Sequence, residues 1–160
     1  MKEQRILAVS VVKNSGKTTV IEKLIPALTA RGLAVACIKH DGHRFEPDRP
    51  GSDSFRHLNA GAYGAAVFDG EKFQIVKRMP VEEHVLLALF PEADLVLLEG
   101  FKHSAWPKVE VVRSAVSDAC VCREGLLAVV TDREDLAVRV PLFGLEETEK
   151  LAEYLIQTLW

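Results

Sequence analysis

Short apolar runs alternate with amphipathic stretches along this chain of 160 residues. Nearly continuous apolar runs predict buried strands, because a strand that is covered on both faces shows no polar alternation. Such strands are predicted over residues 5–11, 34–39, 95–98, 109–112 and 126–130. Apolar positions at helical spacing predict helices over residues 18–31, 81–90 and 145–159, and a shorter helix over 54–61. This alternation predicts an α/β fold with a mainly parallel sheet.

Two segments stand apart from the alternation. Residues 65–68 and 73–77 flank a turn that contains Asp69-Gly70, which predicts a small antiparallel hairpin. Residues 40–53 are polar and rich in glycine and proline, and a loop of this length in a compact domain is usually functional or disordered. The length fits one domain, so we expect residues 1–160 to form a single domain.

Composition narrows the function classes. The formal net charge of −3 disfavours nucleic-acid binding, which needs a basic surface, but allows binding of one nucleotide. No apolar run approaches the roughly 18 residues that span a bilayer. The start of the chain lacks the cleavage site of a signal peptide. The three cysteines are an odd number, which argues against a disulfide framework and fits a cytoplasmic protein.

The strongest chemical signal lies between the first strand and the first helix. Val11 to Thr18 has the sequence Val-Val-Lys-Asn-Ser-Gly-Lys-Thr, which matches the P-loop pattern Gly-x-x-x-x-Gly-Lys-Ser/Thr except at its first position. In such a loop backbone amides surround the phosphates, Lys17 reaches the β- and γ-phosphates, and the Thr18 hydroxyl ligates Mg²⁺. Gly16 allows close approach of the backbone. We therefore predict a three-layer P-loop NTPase fold, with further phosphate contacts from Lys13, Asn14, Ser15 and Thr19.

Val11 replaces the first glycine of the pattern. A β-branched residue at positive φ is an outlier that costs about 1–2 kcal/mol or more. Two alternatives follow: either the loop bears this strain, or Val11 keeps strand geometry and the turn begins one residue later.

An acid follows the apolar run at residues 95–98. Glu99 is the first charged residue after this run, so we expect it at the carboxyl edge of the sheet, where ligands bind. A carboxylate there would coordinate Mg²⁺ directly or through a bound water molecule. The alternative is a solvated acid at a strand end.

A set of residues spread over nearly the whole chain forms a recognisable pattern. Its members are the phosphate loop, Lys39-His40-Asp41-Gly42-His43, Phe45, Asp48, Pro50-Gly51, Asp53-Ser54, Arg56-His57, Ala60-Gly61-Ala62, Glu99-Gly100-Phe101-Lys102, Lys108, Glu110 and Val111-Val112-Arg113. Together they resemble the molybdopterin-guanine dinucleotide biosynthesis adapter (MobB) family. The resemblance implies a dimeric, weakly hydrolysing GTPase related to the signal-recognition and MinD-like proteins. Its implied role is to assist attachment of GMP to molybdopterin beside a guanylyltransferase, and possible further partners are molybdopterin-loading proteins.

Several polar residues are then candidates for ligand contact. Asp41 is a candidate for holding a magnesium-bound water, and His40 or His43 for contacting phosphate or pterin, although a polar loop that makes its own turns is the alternative. Arg56 and Lys102 are candidates for anionic groups, and the alternative is that both are solvated surface charges.

Guanine recognition is predicted after the strand at 126–130. The segment Thr131-Asp132-Arg133-Glu134 stands where GTP-binding folds carry Thr/Asn-Lys-x-Asp, and a carboxylate acceptor matches the N1–H and N2 donors of guanine. The match is imperfect, so either Asp132 or Glu134 could serve. We group Thr131 and Asp132 with the nucleotide contacts, and the predicted metal contacts are Thr18, Asp41 and Glu99. An ordinary solvated turn is the alternative.

Two other functions of the same fold are open. A small-molecule kinase would need an arginine-rich lid, and we find no such insertion. A nickel metallochaperone GTPase would need a cysteine–histidine cluster, for which Cys120-x-Cys122 is thin support because free cysteines are usually small core residues. We also predict a homodimer through the hairpin near Val67 and Ile75, because an isolated two-stranded ribbon is only marginally stable.

Overall fold

A computed structural model of the chain describes residues 3–11, 16–42 and 45–160. In chain order its strands are β1 (Arg5–Val11), β2 (Val35–Lys39), β3 (Gly64–Phe68), β4 (Phe73–Lys77), β5 (Leu95–Glu99), β6 (Lys108–Val112), β7 (Leu126–Thr131) and β8 (Leu142–Phe143). Its helices are α1 (Lys17–Thr29), α2 (Asp53–Asn59), α3 (Glu83–Leu87) and α4 (Thr148–Leu159). The chain packs as two compact units, one made of the residues up to His40 with Leu86–Trp160, and the other of Asp41–Val85.

The larger unit is built on a parallel sheet with the order β2-β5-β1-β6-β7-β8. Alternate residues of each inner strand enter two separate cores. Leu7, Val9, Leu95 and Leu97 face α1 and α4, whereas their neighbours Ala8, Val96 and Leu98 pack with Leu87 and Ala93 on the other side. Burial on both faces explains why these strands are almost wholly apolar in sequence.

The smaller unit contains α2 and the antiparallel pair β3-β4. Ser52 caps α2 by accepting a hydrogen bond from the Phe55 amide. Asp69 closes the turn between the strands, since its Oδ1 accepts from the amides of Glu71 and Lys72. These two side-chain caps explain why the predicted short helix and hairpin form where they do.

The predicted α/β fold, the mainly parallel sheet and the small antiparallel hairpin are confirmed. Two local predictions were wrong, and one strand was missed. β2 lies at the edge of the sheet and leaves Cys37 exposed, although the apolar run predicted a buried strand. The helix predicted over 81–90 is reduced to the five residues of α3, and the short strand β8 was not predicted. Within the described ranges no helix has the length and apolar character needed to cross a bilayer.

Candidate functional site

The carboxyl ends of the parallel strands bring charged residues to one edge of the sheet. Glu99 ends β5, the phosphate segment follows β1, Arg113 follows β6 and Asp132 follows β7. Because β1 lies between β5 and β6, Glu99 and Arg113 follow the two strands on either side of β1. This edge is where open parallel sheets bind ligands.

The described ends of the phosphate segment fit a loop that leads into a helix. Val11 remains in β1, where it pairs with Val111, so of the two alternatives for this residue the strand geometry is the one observed. Gly16 has φ +88°, a left-handed conformation that glycine adopts without a steric penalty, and α1 begins at Lys17. Lys13, Asn14 and Ser15 lie outside the described residues.

Glu99 and Thr18 come together at the start of α1. The Thr18 hydroxyl donates a hydrogen bond to Glu99 Oε1 at 3.2 Å, and Lys39 Nζ lies 3.5 Å from the same oxygen. The side chain of Glu99 is only 13% exposed, so its carboxylate is held against the end of the sheet. Thr19 is exposed on the first turn of α1. A hydroxyl and a carboxylate at this distance form an all-oxygen pair of the kind that Mg²⁺ prefers.

The turn after Glu99 has unusual backbone geometry. Gly100 and Phe101 have φ +106° and +53°, and Phe101 is the only non-glycine residue with positive φ among those described. Ser10 Oγ donates to the Gly100 carbonyl at 2.6 Å, and the Phe101 ring meets the His40 ring edge-on at 5.8 Å. Such strain persists only where surrounding contacts impose it, and it is concentrated at functional sites.

Arg113 and Asp132 form an ion pair on the other side of β1. Arg113 Nε donates to Asp132 Oδ2 at 3.2 Å, while the Ser114 amide donates to Asp132 Oδ1 at 2.7 Å. The Ser114 amide, with Arg113 as a second contribution, lowers the pKa of Asp132 below its usual value. Asp132 is thus held as a carboxylate with both oxygens engaged, a condition that sequence reasoning did not anticipate.

A cleft of about 430 Å³ opens beside the end of β7. Its lining includes Thr131, Asp132 and Glu134 from the segment predicted to contact guanine, together with Phe143 at the end of β8 and Gly144 after it. The Glu134 side chain is exposed and makes no hydrogen bond or ion pair with any residue that the structure describes. The cleft therefore combines an apolar wall with an available carboxylate.

A buried polar cluster lies behind the site on β6. Glu110 is wholly buried and accepts hydrogen bonds from the amides of Val121 and Cys122, at 2.7 and 2.9 Å. Lys108, 1% exposed, donates to the carbonyls of Ser104 and Glu124. These bonds tie the chain segments after β5 and before β7 to the middle of the sheet.

The cysteines are poor metal ligands in this setting. Burial, with the charge of Glu110 as a second cause, raises the pKa of Cys120 to about 11 and that of Cys122 to about 12. Metal ligation needs the thiolate. Across residues 3–11, 16–42 and 45–160, no group of three or more histidine, cysteine, aspartate or glutamate side chains is placed to hold a metal ion. A magnesium ion at Glu99 would therefore take its other ligands from hydroxyl groups, water or a bound phosphate.

The remaining predicted site residues are distributed over both units. Lys102 is exposed in the larger unit, directly after the strained turn. Asp41 and Arg56 belong to the smaller unit, where Arg56 lies 3.6 Å from Asp53. His43 lies outside the described residues. The contacts predicted for these residues stay predictions.

Sequence reasoning assigned no site role to Ser10 or Arg113. A usable signal existed for Arg113, because it is the first charged residue after the apolar end of β6, as Glu99 is after β5. Ser10 carried no such signal, since a single hydroxyl within an apolar strand is common.

The match to known proteins decides the family. The model of the MobB family, described as molybdopterin guanine dinucleotide synthesis protein B, matches residues 6–132, which contain the phosphate segment, Glu99, Arg113 and Asp132. This chain belongs to the MobB family. The MobB resemblance proposed from sequence is thus confirmed.

Relatives of this MobB chain match it over most of its length. The molybdopterin-guanine dinucleotide biosynthesis adapter protein of Escherichia coli K12 is 32% identical, over 95% of this chain and 91% of that protein. The protein of the same name from Haemophilus influenzae is 30% identical, over 94% and 86%. The crystal structure of Bacillus subtilis MobB is 26% identical, covers 98% of both chains and superposes with a TM-score of 0.76.

Proposed function

We propose that this chain is a GTP-binding adapter of molybdopterin guanine dinucleotide biosynthesis, which holds GTP with Mg²⁺ and hydrolyses it slowly. The observation that carries the proposal is the meeting of Thr18 and Glu99 at the start of α1, beside a P-loop sequence, in a MobB chain. The E. coli and H. influenzae relatives bear the name of biosynthesis adapter proteins, which supports the same role here.

The residues present fit a magnesium nucleotide. α1 has no acidic residue in its first turn, and Gly16 makes no side-chain cap, so the positive end of the helix is available to an anion. Lys17 is the point charge that a P-loop directs at the phosphates. Thr18 and Glu99 are suited to hold the magnesium ion, directly or through water, and the ion when bound would offset phosphate charge.

The cleft beside β7 supports guanine as the base. Its volume of about 430 Å³ lies within the usual range for small-ligand sites. Both oxygens of Asp132 already accept hydrogen bonds, whereas Glu134 is available, so Glu134 is the better acceptor for the guanine N1–H and N2 amino groups. Adenine offers no matching pair of donors at these positions, and GTP should therefore bind more tightly than ATP.

An adapter also needs surfaces for other proteins. The hairpin exposes Val67, Phe68, Phe73 and Ile75, each more than half exposed, and apolar patches of this kind mark protein interfaces. We assign this face to a second copy of the chain, which would make a homodimer. The proposed partner in the reaction is the molybdopterin guanylyltransferase.

A titration with GTP and ATP, with and without Mg²⁺, tests the nucleotide part. The parent chain should prefer GTP and need Mg²⁺ for tight binding, and Lys17→Ala should lose tight binding while the fold is kept. Lys77→Ala is the matched control, because Lys77 is an exposed lysine at the end of β4 and lies outside the P-loop motif. A Lys17→Ala variant that binds GTP as well as the parent would refute the P-loop assignment.

The adapter part is tested by pull-down of the guanylyltransferase and by reconstituted transfer of GMP onto molybdopterin, with and without this chain. The chain should raise the yield of transfer while hydrolysing GTP slowly by itself. Rapid multiple-turnover phosphorylation of a small acceptor by the chain alone would overturn the adapter proposal in favour of a kinase.

A further inference from the structure

Arg113 points its guanidinium at the start of α1. Its Nη1 lies 3.7 Å from the position that a Cβ on Gly16 would occupy. Gly16 directly precedes α1, so the arginine stands at the amino-terminal, positive end of this helix. Arg113 reaches this place from β6, the neighbour of β1 on the side away from Glu99.

The charges at this point are arranged for an anion. Lys17 opens α1 and no acidic residue follows in the first turn, so Arg113 adds a second cation to a helix end that is already positive. The guanidinium uses only Nε on Asp132, and Nη1 and Nη2 make no hydrogen bond to any residue in the described ranges. With no partner among the described residues, the two terminal nitrogens can donate in the forked geometry that matches a phosphate.

Asp132 holds the arginine in this orientation. The carboxylate is itself held at both oxygens, because the Ser114 amide donates to Oδ1 and the Ser114 hydroxyl donates to Oδ2 at 3.2 Å. An acceptor fixed in this way holds Nε and keeps Nη1 near Gly16. These three bonds use three of the roughly four lone-pair sites of the carboxylate, which leaves too few for both the N1–H and N2 donors of guanine.

We propose that Arg113 is a second cationic contact for the phosphates of the bound nucleotide, reaching them from the β6 side, and that Asp132 is its positioning residue rather than the acid that contacts guanine. This inference rests on the proposed nucleotide function. It divides the edge of the sheet into a magnesium side, at Thr18 and Glu99, and an arginine side, at Arg113 and Asp132. The phosphates would lie between the two.

The test is calorimetric titration of the full chain with Mg²⁺–GTP, Mg²⁺–ATP, pyrophosphate and guanosine. Arg113→Gln should weaken GTP and pyrophosphate binding by about 10–150-fold, corresponding to about 1.5–3 kcal/mol for a charged hydrogen bond, and leave guanosine binding unchanged. Arg113→Lys should recover part of the loss, because lysine keeps the charge and lacks the fork. Arg123→Gln, an exposed arginine on the same unit, is the matched control and should bind like the parent.

Asp132→Asn separates the positioning role from contact with the base. It should weaken pyrophosphate and GTP binding, by less than Arg113→Gln does, and keep the preference for GTP over ATP. Loss of that preference with pyrophosphate binding intact would overturn the inference and make Asp132 the guanine contact. Thermal melts without ligand should match the parent for the arginine variants, whereas Asp132→Asn should melt at a lower temperature because it weakens the hydrogen bonds from Ser114 and Arg113.

The outcomes distinguish this inference from the proposed function. If Lys17→Ala loses GTP and Arg113→Gln binds like the parent, the role of Arg113 is refuted and the P-loop assignment stands. If the parent chain binds neither GTP nor pyrophosphate, both are refuted.

Discussion

Replacing Glu110 by glutamine tests the buried cluster that supports the site. Glu110 is wholly buried and uses both carboxylate oxygens, one for the Val121 amide and one for the Cys122 amide. A carboxamide has one acceptor oxygen and an NH₂ group, so Glu110→Gln leaves one backbone N–H facing another donor. Loss of a hydrogen bond to a charged group at a buried position costs about 1.5–3 kcal/mol.

Urea unfolding monitored by circular dichroism measures this cost. The free energy of unfolding should fall by about 1.5–3 kcal/mol with an unchanged m-value, and Tm should fall by about 3–12 °C for a chain of this size. Glu92→Gln, at an exposed position on the same unit, is the matched control and should change stability by less than about 0.5 kcal/mol.

The alkylation rate of Cys122 is a second measurement on the same cluster. The charge of Glu110 contributes, after burial, to the raised pKa of Cys122. Glu110→Gln removes this charge, so the Cys122 pKa should fall and its alkylation at mildly alkaline pH should become faster. If Glu110→Gln is as stable as Glu92→Gln and alkylates at the parent rate, Glu110 does not hold the Cys122 segment as described.

Three further predictions concern the magnesium contact, the dimer and the cysteines. Glu99→Gln should weaken Mg²⁺-dependent GTP binding by about 10–100-fold and change Mg²⁺-free binding little, and equal loss in both would make Glu99 structural. If the proposed homodimer forms, Ile75→Asp should convert it to a monomer in light scattering at micromolar concentration, and a monomeric parent would contradict the proposal. At pH 8, iodoacetamide should label Cys37 before Cys120 and Cys122 in the folded chain, as followed by peptide mass spectrometry. Burial raises the pKa of Cys37 too, but this thiol is exposed, whereas Cys120 and Cys122 are less accessible and have pKa values raised to about 11 and about 12. Urea-unfolded protein, in which all three label at similar rates, is the control.

Most of the fold could be predicted from the sequence because its main determinants are local. Strands covered on both faces must be almost wholly apolar, so the inner strands β1, β5, β6 and β7 were predicted at nearly their observed bounds. The hairpin followed from Asp69-Gly70, and the phosphate segment from the order of strand, motif and helix. The burial predicted for β2 was wrong because an apolar run does not distinguish a central strand from an edge strand. α3 was shorter than predicted, since helical spacing alone does not determine where a helix ends.

Both the sequence and the tertiary structure were needed to identify the candidate site. The motif placed Lys17 and Thr18 at a helix start, and the strand end placed Glu99 at the ligand edge, since both positions follow from the linear order of the elements. The order of strands in the sheet brought Thr18 within 3.2 Å of Glu99, although 81 residues separate them in sequence. No local pattern encodes that pairing.

Only the tertiary structure placed Arg113 beside Gly16 and engaged Asp132 with it. In sequence these residues are a charge after one strand and a degenerate guanine signature after another. Their roles depend on β6 lying next to β1, and β7 next to β6, an arrangement stabilised by burial of the apolar faces against α1 and α4. The sequence by itself determined which chemical groups reach the ligand edge. The packing of the sheet decided which of them meet, because contacts between distant segments arise only when the whole core is formed.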